Sequence, residues 1–421
     1  MELTKVKLGD YLEEFGDGIH GTPNYDENGE YYFINGNNLD NGAILIDSET
    51  KRISSDEYDS IKRNLNNRTL LLSINGTLGR LAYYNGEKIA LGKSACFLNF
   101  KENTDRRYFR YILEMKDFRQ YMSKVASGST IKNFSPRQAA DYEFFAPKPD
   151  DQKKIASVLS ALDDKIALNK KMNQKLERMA KRLYDYWFVQ YDFPDKNGHP
   201  YKTTGGPMTY NPTLKREIPV GWEVKTLKEC IKHINTGLNP RDNFVLGNGD
   251  IKYVTVKNLT MEGNIDFSGC DFIDEDALKK VHKRSDIAKG DVLYASICPL
   301  GRSYLINKDP VGWDINESVF SIRPNLDVIS SEFLSVFLKD SAVVEKASKM
   351  ATGSIFKGIR IKELENMILA VPVKDVMEKF SKQIKNLIEL EHKNTEQIAH
   401  LTTLRDKLLP LLMNGQVTLR G

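Results

Sequence analysis

The sequence is poor in residues that crosslink a chain and in long apolar runs that cross membranes. Its 421 residues include four cysteines, and no two of them form a Cys-x-x-Cys pair. This scarcity argues against a disulfide framework and against a structural zinc site. No run of 18 apolar residues occurs, and the first residues lack the apolar stretch of a signal peptide. We therefore expect a cytoplasmic protein without a membrane-spanning segment.

Motifs that bind nucleotides or perform catalysis are also missing. The nearest approach to a phosphate-binding loop, residues 86–94, has five residues between its glycines. A phosphate-binding loop has four and leads into a helix, whereas a β-like run follows here. The six histidines show neither metal-ligand spacing nor a nucleophile turn, and no Asn-Pro-Pro-aromatic tetrad of an adenine methyltransferase occurs. The chain is therefore expected not to be an enzyme, with no metal or cofactor of its own.

The two halves of the chain repeat each other. Ala-Ser-Gly-Ser-Thr at 126–130 returns 225 residues later as Ala-Thr-Gly-Ser-Ile at 351–355, and Leu-Gly-Arg at 78–80 resembles Leu-Gly-Arg at 300–302. A repeat of this length is a domain with an appendage rather than a solenoid unit. Each half contains short runs rich in β-branched and aromatic residues and one amphipathic stretch, near 105–124 and near 330–348. This pattern predicts an α+β fold, with two mixed domains in tandem.

The appendage of each half carries an apolar heptad repeat. Steps of four and three residues from Ile155 give mostly apolar positions, interrupted only by Asn169 and Asn173, and the spacing recurs from Phe380. A repeat of 3.5 sustained over four heptads predicts a coiled-coil seam. We predict helices over about 151–189 and 375–413, which pair as an antiparallel, pseudo-two-fold coiled coil. The predicted seam residues are Ile155, Leu159, Leu162, Ile166, Leu176, Leu183, Trp187, Ile384, Leu387, Ile398, Leu401, Leu408 and Leu412.

Two asparagines in the middle of the heptads allow two interpretations. In a centred antiparallel pairing, Asn173 lies near Asn394 and the pair forms a buried polar layer that fixes register. Alternatively, both side chains face solvent at an irregular turn. The sequence alone does not choose between these arrangements.

These patterns divide the chain into five segments. A first globular domain covers 1–148 and a long helix 149–190, followed by a proline- and glycine-rich linker over 191–220. A second globular domain covers 221–372, and a second long helix covers 373–415 with a tail to residue 421.

Four blocks of the sequence resemble the specificity subunit of type I restriction-modification systems. The first is the duplication with one long helix after each half, and the second is residues 183–189 followed by 218–222. The third is the Gly-Ser block at 127–135 leading into 145–147 and a helix start at 152, and the fourth is the closing block at 407–415. The second half departs from the pattern, because its Gly-Ser block lacks the Phe-Ser that follows in the first.

The resemblance implies a division of labour between this chain and other subunits. Such subunits carry two target-recognition domains, each of which reads one half of an asymmetric, bipartite site in double-stranded DNA. Their paired helices set the spacer and dock two modification subunits, so the seam residues named above are also expected to take part in docking. The resemblance assigns adenine-N6 methylation with S-adenosylmethionine to the modification subunits, and ATP- and magnesium-dependent DNA cleavage to the complex that includes restriction subunits.

Residues that read DNA are expected on exposed loops. Base edges in the major groove are read by Arg, Asn, Gln or Lys, while Ser, Thr and Lys contact phosphates. Candidates in the first half are His20, Thr22, Asn24, Ser73, Asn75, Thr77, Arg80, Lys93, Ser129, Thr130, Lys132 and Asn133. Candidates in the second half are Thr236, Asn239, Arg241, Lys257, Asn258, Arg302, Asn316, Ser354, Lys357 and Arg360. Loops of this composition are also ordinary turns, so a purely structural role stays open for each.

Two other functions are compatible with parts of the sequence. A tandem protein-binding adaptor on a coiled-coil spacer explains the duplication and the helices but not the matching blocks. A self-sufficient restriction enzyme requires nuclease and methyltransferase motifs that the sequence does not supply. The net charge of +4 does not decide between DNA and protein as the partner.

Overall fold

The computed structural model describes residues 2–128, 132–353 and 357–418. The chain divides into two units, the first formed by Met1–Ala167 with Ala399–Gly421 and the second by Leu168–Ile398. Each unit therefore combines a mixed α/β domain with parts of both long helices. The Ser129, Thr130 and Ser354 candidates lie outside the described residues.

The first unit contains eleven strands among its described residues. They are β1 (Thr4–Lys7), β2 (Leu12–Asp17), β3 (Tyr31–Ile34), β4 (Leu39–Asp40), β5 (Ala43–Ile44), β6 (Arg52–Ile53), β7 (Thr69–Ser73), β8 (Leu81–Tyr83), β9 (Ile89–Leu91), β10 (Ala95–Phe100) and β11 (Glu143–Ala146). Strands β2-β10-β7-β8 form an antiparallel sheet, and β6-β3-β9 form a smaller sheet in which β3 and β9 run parallel. Two further pairs, β1-β11 and β4-β5, complete the sheets.

The first unit contains five α-helices among its described residues. They are α1 (Ser55–Ile61), α2 (Arg106–Glu114), α3 (Lys116–Val125), α4 (Pro136–Ala140) and the long α5 (Pro149–Tyr184). The single helix predicted near 105–124 is instead two helices, because Met115 between them has extended backbone angles. Residues of β7, β10, α2 and α3 share one apolar core with the start of α5.

The second unit repeats this plan. Its strands are β12 (Met208–Asn211), β13 (Arg216–Pro219), β14 (Glu223–Thr226), β15 (Ile231–Thr236), β16 (Ile251–Val254), β17 (Asp271–Ile273), β18 (Val292–Ala295), β19 (Ser303–Leu305), β20 (Trp313–Ile315), β21 (Val319–Pro324) and β22 (Ile368–Val371). Its helices are α6 (Leu227–Cys230), α7 (Glu275–Ser285), α8 (Ser331–Lys339), α9 (Ser341–Met350), α10 (Ile361–Glu365) and the long α11 (Lys374–Met413).

Sheet topology confirms the internal duplication. The order β15-β21-β18-β19 matches β2-β10-β7-β8, and the mixed sheet β17-β16-β20 matches β6-β3-β9. The pair β14-β22 matches β1-β11 in the same way. Both units are therefore built on one strand plan, and the predicted α+β class is confirmed.

The two long helices meet in antiparallel fashion within each unit. In the first unit, Leu159 of α5 shares a buried core with Leu412 of α11. In the second, the Asn394 side-chain amide donates a 2.8 Å hydrogen bond to Asn173 Oδ1. The buried polar layer is therefore observed. Every residue predicted for the seam is buried or half-buried.

The end of α5 winds more loosely than the rest of the helix. A π-helical turn, Asp185–Val189, follows α5 directly and buries Trp187 and Phe188. The ring centroid of Phe188 lies 4.7 Å from that of Phe380 on α11. This aromatic packing holds the π-helical turn at the end of α5 against α11 in the second unit.

The segment predicted as a linker over 191–220 is ordered structure. It contains the β12-β13 hairpin, and its Tyr191, Phe193 and Ile218 side chains are buried. The rings of Phe193 and Trp222 stack with centroids 5.3 Å apart. The prediction of a simple linker was wrong because aromatic residues among the prolines bury enough apolar surface to order the segment.

Candidate nucleic-acid interface

Parts of two loops of the first unit are held side by side, and we call residues 74–80, 126–128 and 132–133 the first loop pair. The Phe134 N–H donates to the Ile74 carbonyl at 2.9 Å, and Asn75 and Asn133 form a β-bridge. Across the second loop, Ser127 and Asn133 exchange backbone hydrogen bonds of 2.9 and 2.7 Å. The loops are therefore a defined frame rather than independent turns.

Two further segments with candidate residues join this frame through the backbone. The Ile74 N–H donates to the Ser94 carbonyl at 3.0 Å, beside Lys93. The Ile19 N–H donates to the Leu91 carbonyl at 2.9 Å, beside His20. The structure thus brings together the predicted residues of four separate stretches of sequence.

Most candidates that the structure describes on the first frame are accessible. Asn75 and Arg80 are half-buried, and the exposed side chains are His20, Thr22, Asn24, Thr77, Lys93, Lys132 and Asn133. Some already have protein partners, since His20 Nε2 lies 2.9 Å from Asp17 Oδ2 and the Asn24 amide donates to Glu57 at 3.0 Å. Thr77, Lys93 and Lys132 offer hydroxyl and ammonium donors suited to phosphate or base oxygens.

An equivalent frame exists in the second unit, and we call residues 296–302, 351–353 and 357–358 the second loop pair. The Ile359 N–H donates to the Ser296 carbonyl at 2.8 Å, and the Cys298 N–H donates to the Lys357 carbonyl at 2.9 Å. Thr352 and Gly358 exchange hydrogen bonds of 2.9 and 3.0 Å. The β-bridges occupy the same places in the repeat as those of the first loop pair.

The surroundings of the second loop pair also follow the first. The Gly237 N–H donates to the Asn316 carbonyl at 3.1 Å, which attaches the segment that carries Asn239 and Arg241. Asn239 is half-buried, and the exposed candidates are Arg241, Lys257, Lys357 and Arg360. The two frames thus share a backbone design but present different side chains.

Four predicted DNA-contacting residues are buried, and those predictions were wrong. They are Ser73, Thr236, Asn258 and Asn316. Ser73 Oγ accepts a 2.8 Å hydrogen bond from the Arg80 N–H, so it fixes the first loop. Asn258 Oδ1 accepts from the Thr255 N–H at 2.8 Å, and Asn316 Oδ1 accepts from the Ser318 N–H at 3.1 Å. The asparagines stabilise turns, the structural role that such loops commonly give them.

The recurrent arginines of the two loop pairs hold backbone carbonyls. The Arg302 guanidinium donates to the carbonyls of Pro299 and Ile297, both at 3.0 Å, and to that of Val256. Burial lowers the pKa of Arg302. Arg80 Nη1 donates to the Asn37 carbonyl at 3.3 Å. Arg302 is therefore a structural clamp rather than a DNA contact, whereas the half-buried Arg80 stays a candidate.

A basic helix face beside the first loop pair was missed from the sequence. Lys116, Arg119, Gln120, Ser123 and Lys124 of α3 line a shallow surface depression. The Lys132 ammonium donates to the Ser123 carbonyl at 3.4 Å, which joins this face to the loop. The helical spacing of the basic residues was the available signal. Such a face suits contacts to a phosphate backbone.

Among the residues that the structure describes, no group of three or more His, Cys, Asp and Glu side chains is arranged to hold a metal ion. In the same residues, no helix combines the length and apolar character needed to span a membrane. The candidate site consists of polar and basic loop residues on a hydrogen-bonded backbone frame.

Comparison with known proteins identifies the family. The type I restriction modification DNA specificity domain matches this chain twice, over residues 2–178 and 219–400. The chain belongs to the type I restriction-modification specificity subunits. As a specificity subunit, it has a role in DNA recognition rather than in catalysis.

Individual relatives support this assignment. The specificity subunit is 29% identical over 364 residues to the MjaIX specificity subunit of Methanocaldococcus jannaschii, covering 83% of this chain and 77% of the relative. It is 21% identical over 376 residues to the HindI specificity subunit of Haemophilus influenzae, covering 76% of each chain. The crystal structure of a type I S subunit from M. genitalium has a similar fold, with a TM-score of 0.59 and 19% identity over 98% of this chain and 96% of that one.

Proposed function

We propose that this specificity subunit reads an asymmetric, bipartite site in duplex DNA, with one half-site assigned to each loop pair. The observation that carries the proposal is the contrast between the two frames. Their β-bridges coincide in the repeat and both expose an equivalent lysine, Lys132 or Lys357, but the first also exposes Thr77 and Asn133 where the second has Pro299 and Gly358. Similar frames with different donors and acceptors are suited to reading two different base sequences.

The long helices set the distance between the half-sites in this proposal. Helix α5 has 36 residues and α11 has 40, so at about 1.5 Å per residue they are about 54 and 60 Å long. Half-sites on one side of B-DNA recur at about 34–36 Å. Continuous helices of this length suit a fixed spacer, whereas a flexible linker does not hold one distance.

Partner subunits complete the proposed activity. Modification subunits supply adenine-N6 methylation with S-adenosylmethionine, and restriction subunits add cleavage that depends on ATP and magnesium. Two modification subunits also share the phosphate contacts, which accounts for the modest net charge of +4 on this chain. The α3 face contributes part of that contact in the first half.

We propose that the surface that docks a modification subunit extends beyond the predicted seam, whose residues are buried or half-buried. A second apolar stripe on α5 and its π-turn is exposed, with Leu168 at 52%, Met172 at 41%, Met179 at 54% and Tyr186 at 37%. Spacings of four and seven residues place Leu168, Met172 and Met179 of α5 on one helix face.

Charge around this stripe indicates the kind of surface it binds. Six basic residues and only two acidic ones, Glu177 and Asp185, accompany the stripe; the basic residues are Lys170, Lys171, Lys175, Arg178, Lys181 and Arg182. We propose that a helix of the modification subunit, with an apolar ridge bordered by carboxylates, packs on this stripe. The apolar ridge supplies affinity, and the carboxylates supply charge complementarity.

A paired substitution tests this docking surface. Met172→Asp with Met179→Asp places two carboxylates on the stripe and should abolish co-purification with the modification subunit. The chain itself should keep its melting temperature, because both side chains are exposed. Val311→Asp, which also replaces an exposed apolar residue, is the matched control and should assemble normally. Normal assembly of the double variant would place docking elsewhere.

Mapping methylated adenines tests the proposed function itself. DNA from cells that carry this subunit with its modification subunits should be methylated at one motif with two unlike halves and a constant gap. Cells with the modification subunits alone provide the control. Methylation at a single continuous motif, or none that depends on this chain, would refute the bipartite assignment.

A further inference from the structure

A charged cluster joins the globular part of the first unit to both long helices. Asp163 of α5 accepts hydrogen bonds from Arg110 Nη1 at 3.1 Å and from the Tyr111 hydroxyl at 2.7 Å, both on α2. Its other oxygen accepts from Arg405 Nη1 of α11 at 2.9 Å. Arg110 Nε also donates to Glu114 at 2.8 Å. One carboxylate thus receives donors from two other elements.

The cluster is partly buried, with the Asp163 and Arg405 side chains 16% and 24% exposed. Arg110 is 6% exposed and lies within the core side of α2. Buried ion pairs contribute little net stability, because desolvation offsets their attraction, but removal of one partner is costly. Their hydrogen bonds are directional, whereas apolar contacts are not. Such a cluster therefore specifies orientation more than it adds stability.

The second unit uses different chemistry at the equivalent place. With the displacement of 225 residues, Arg110, Glu114 and Asp163 correspond to Ser335, Lys339 and Ile388. There α8 packs on α11 through apolar side chains, and the ring centroids of Phe333 and Phe380 lie 6.2 Å apart. The Ser381 hydroxyl also donates a 2.6 Å hydrogen bond to Ser330 Oγ, at the start of α8. Among the described residues, the carboxylate at 163 has no counterpart in the repeat.

We propose that Asp163 is a positioning residue that fixes the seat of the first recognition domain on the helices and so helps to determine the gap between the half-sites. This inference rests on the proposed function. The cluster also distinguishes the two domains, because seating the second domain's Ser335 opposite Asp163 removes the Arg110 ion pair from that half-buried carboxylate. The gap between the half-sites then depends on the ionic contacts of Asp163 in the first unit.

Gap selectivity of the assembled complex tests the inference. The complex with modification subunits is bound to duplexes that carry both half-sites at the native gap, as mapped from methylated adenines, or at one base pair more or less. Wild type and the exposed neighbour control Asp164→Asn should prefer the native gap at least about tenfold. Asp163→Asn should reduce that preference to below about threefold and leave the sequence preference of each half-site unchanged.

A second variant and a melting experiment separate positioning from folding. Arg405→Met removes only the α11 contact and leaves Arg110 and Tyr111 on Asp163, so its preference should fall between those of wild type and Asp163→Asn. A lowered melting temperature with wild-type gap preference in both variants would overturn the inference. A wild-type complex with no gap preference would overturn the proposed function and the inference with it.

Discussion

Buried polar side chains determine how the long helices meet in the second unit. The Asn173 amide donates to Thr395 Oγ1 at 3.1 Å and accepts from Asn394, while the Asn169 amide donates to Gln397 Oε1 at 2.7 Å. A slip of one helix breaks all these bonds and buries their groups unsatisfied. The layer therefore selects one register at some cost in stability.

Glu391, at this polar layer, makes stability depend on pH. It is 9% exposed, and burial raises its pKa from 4.5 to about 7, with Glu177 adding to the rise and Lys339 opposing it. Between pH 4.5 and 7 the unfolded chain loses this proton while the folded chain keeps it. The free energy of unfolding therefore falls as pH rises through this window, and the loss is complete above pH 7.

Glu391→Gln should remove this pH-dependent loss of stability, because the glutamine side chain does not ionise. The variant should melt at nearly the wild-type temperature at pH 5 and several degrees higher at pH 8, with a gain of up to about 3 kcal/mol. Burial also lowers the pKa of the nearby His392 to about 4. Because His392 is present in both proteins, its effect largely cancels in the difference between their melting temperatures. Thermal melts at both pH values measure the effect, with the exposed Glu389→Gln as control. A difference that does not change with pH would contradict this assignment.

The accessibility of the candidate DNA-contacting residues was the least predictable feature of the sequence. Lys257 is exposed whereas its neighbour Asn258 is buried and caps a turn, although both are polar residues in one loop. Periodicity reveals a buried face in helices and strands, but irregular loops have no period. Only hydrogen bonds that form in the folded chain, such as those of Arg302, distinguish a loop residue with a structural role from one that is available to contact DNA.

The elements with sustained periodicity were predicted well. Predicted helices over about 151–189 and 375–413 correspond to α5 with its π-turn and to Lys374–Met413. Shorter elements carried weaker signals, so the break at Asp340 between α8 and α9 was missed. Its side chain caps α9 by accepting from the Ala342 N–H at 3.1 Å, a local cue that the amphipathic pattern concealed.

Two leucines on the long helices should respond differently to truncation. Leu159 is fully buried in the core of the first unit, whereas Leu404 of α11 is 37% exposed. Leu159→Ala should cost about 2–5 kcal/mol of unfolding free energy, because it leaves a cavity. Leu404→Ala should cost less than about 1 kcal/mol. Urea denaturation of both variants measures this contrast, and equal losses would contradict the seam as assigned.

The duplication was readable at the scale of the whole molecule because it repeats topology as well as sequence. The Gly-Ser blocks and the heptads recur at one displacement, and the sheets follow with the same strand order in both units. The ordered segment at 191–220 was not predicted, because its burial depends on Trp222 and other residues of the second domain. Long-range packing of this kind has no local signal in the sequence.

Exchange of one recognition domain tests the central claim most directly. Residues 1–148 are replaced by the matching domain of another specificity subunit whose site is known, and methylated adenines are mapped in cells that contain the modification subunits. We predict that one half of the motif changes to that of the donor while the other half stays as it was. A change in both halves, or in neither, would contradict the assignment of one half-site to each domain.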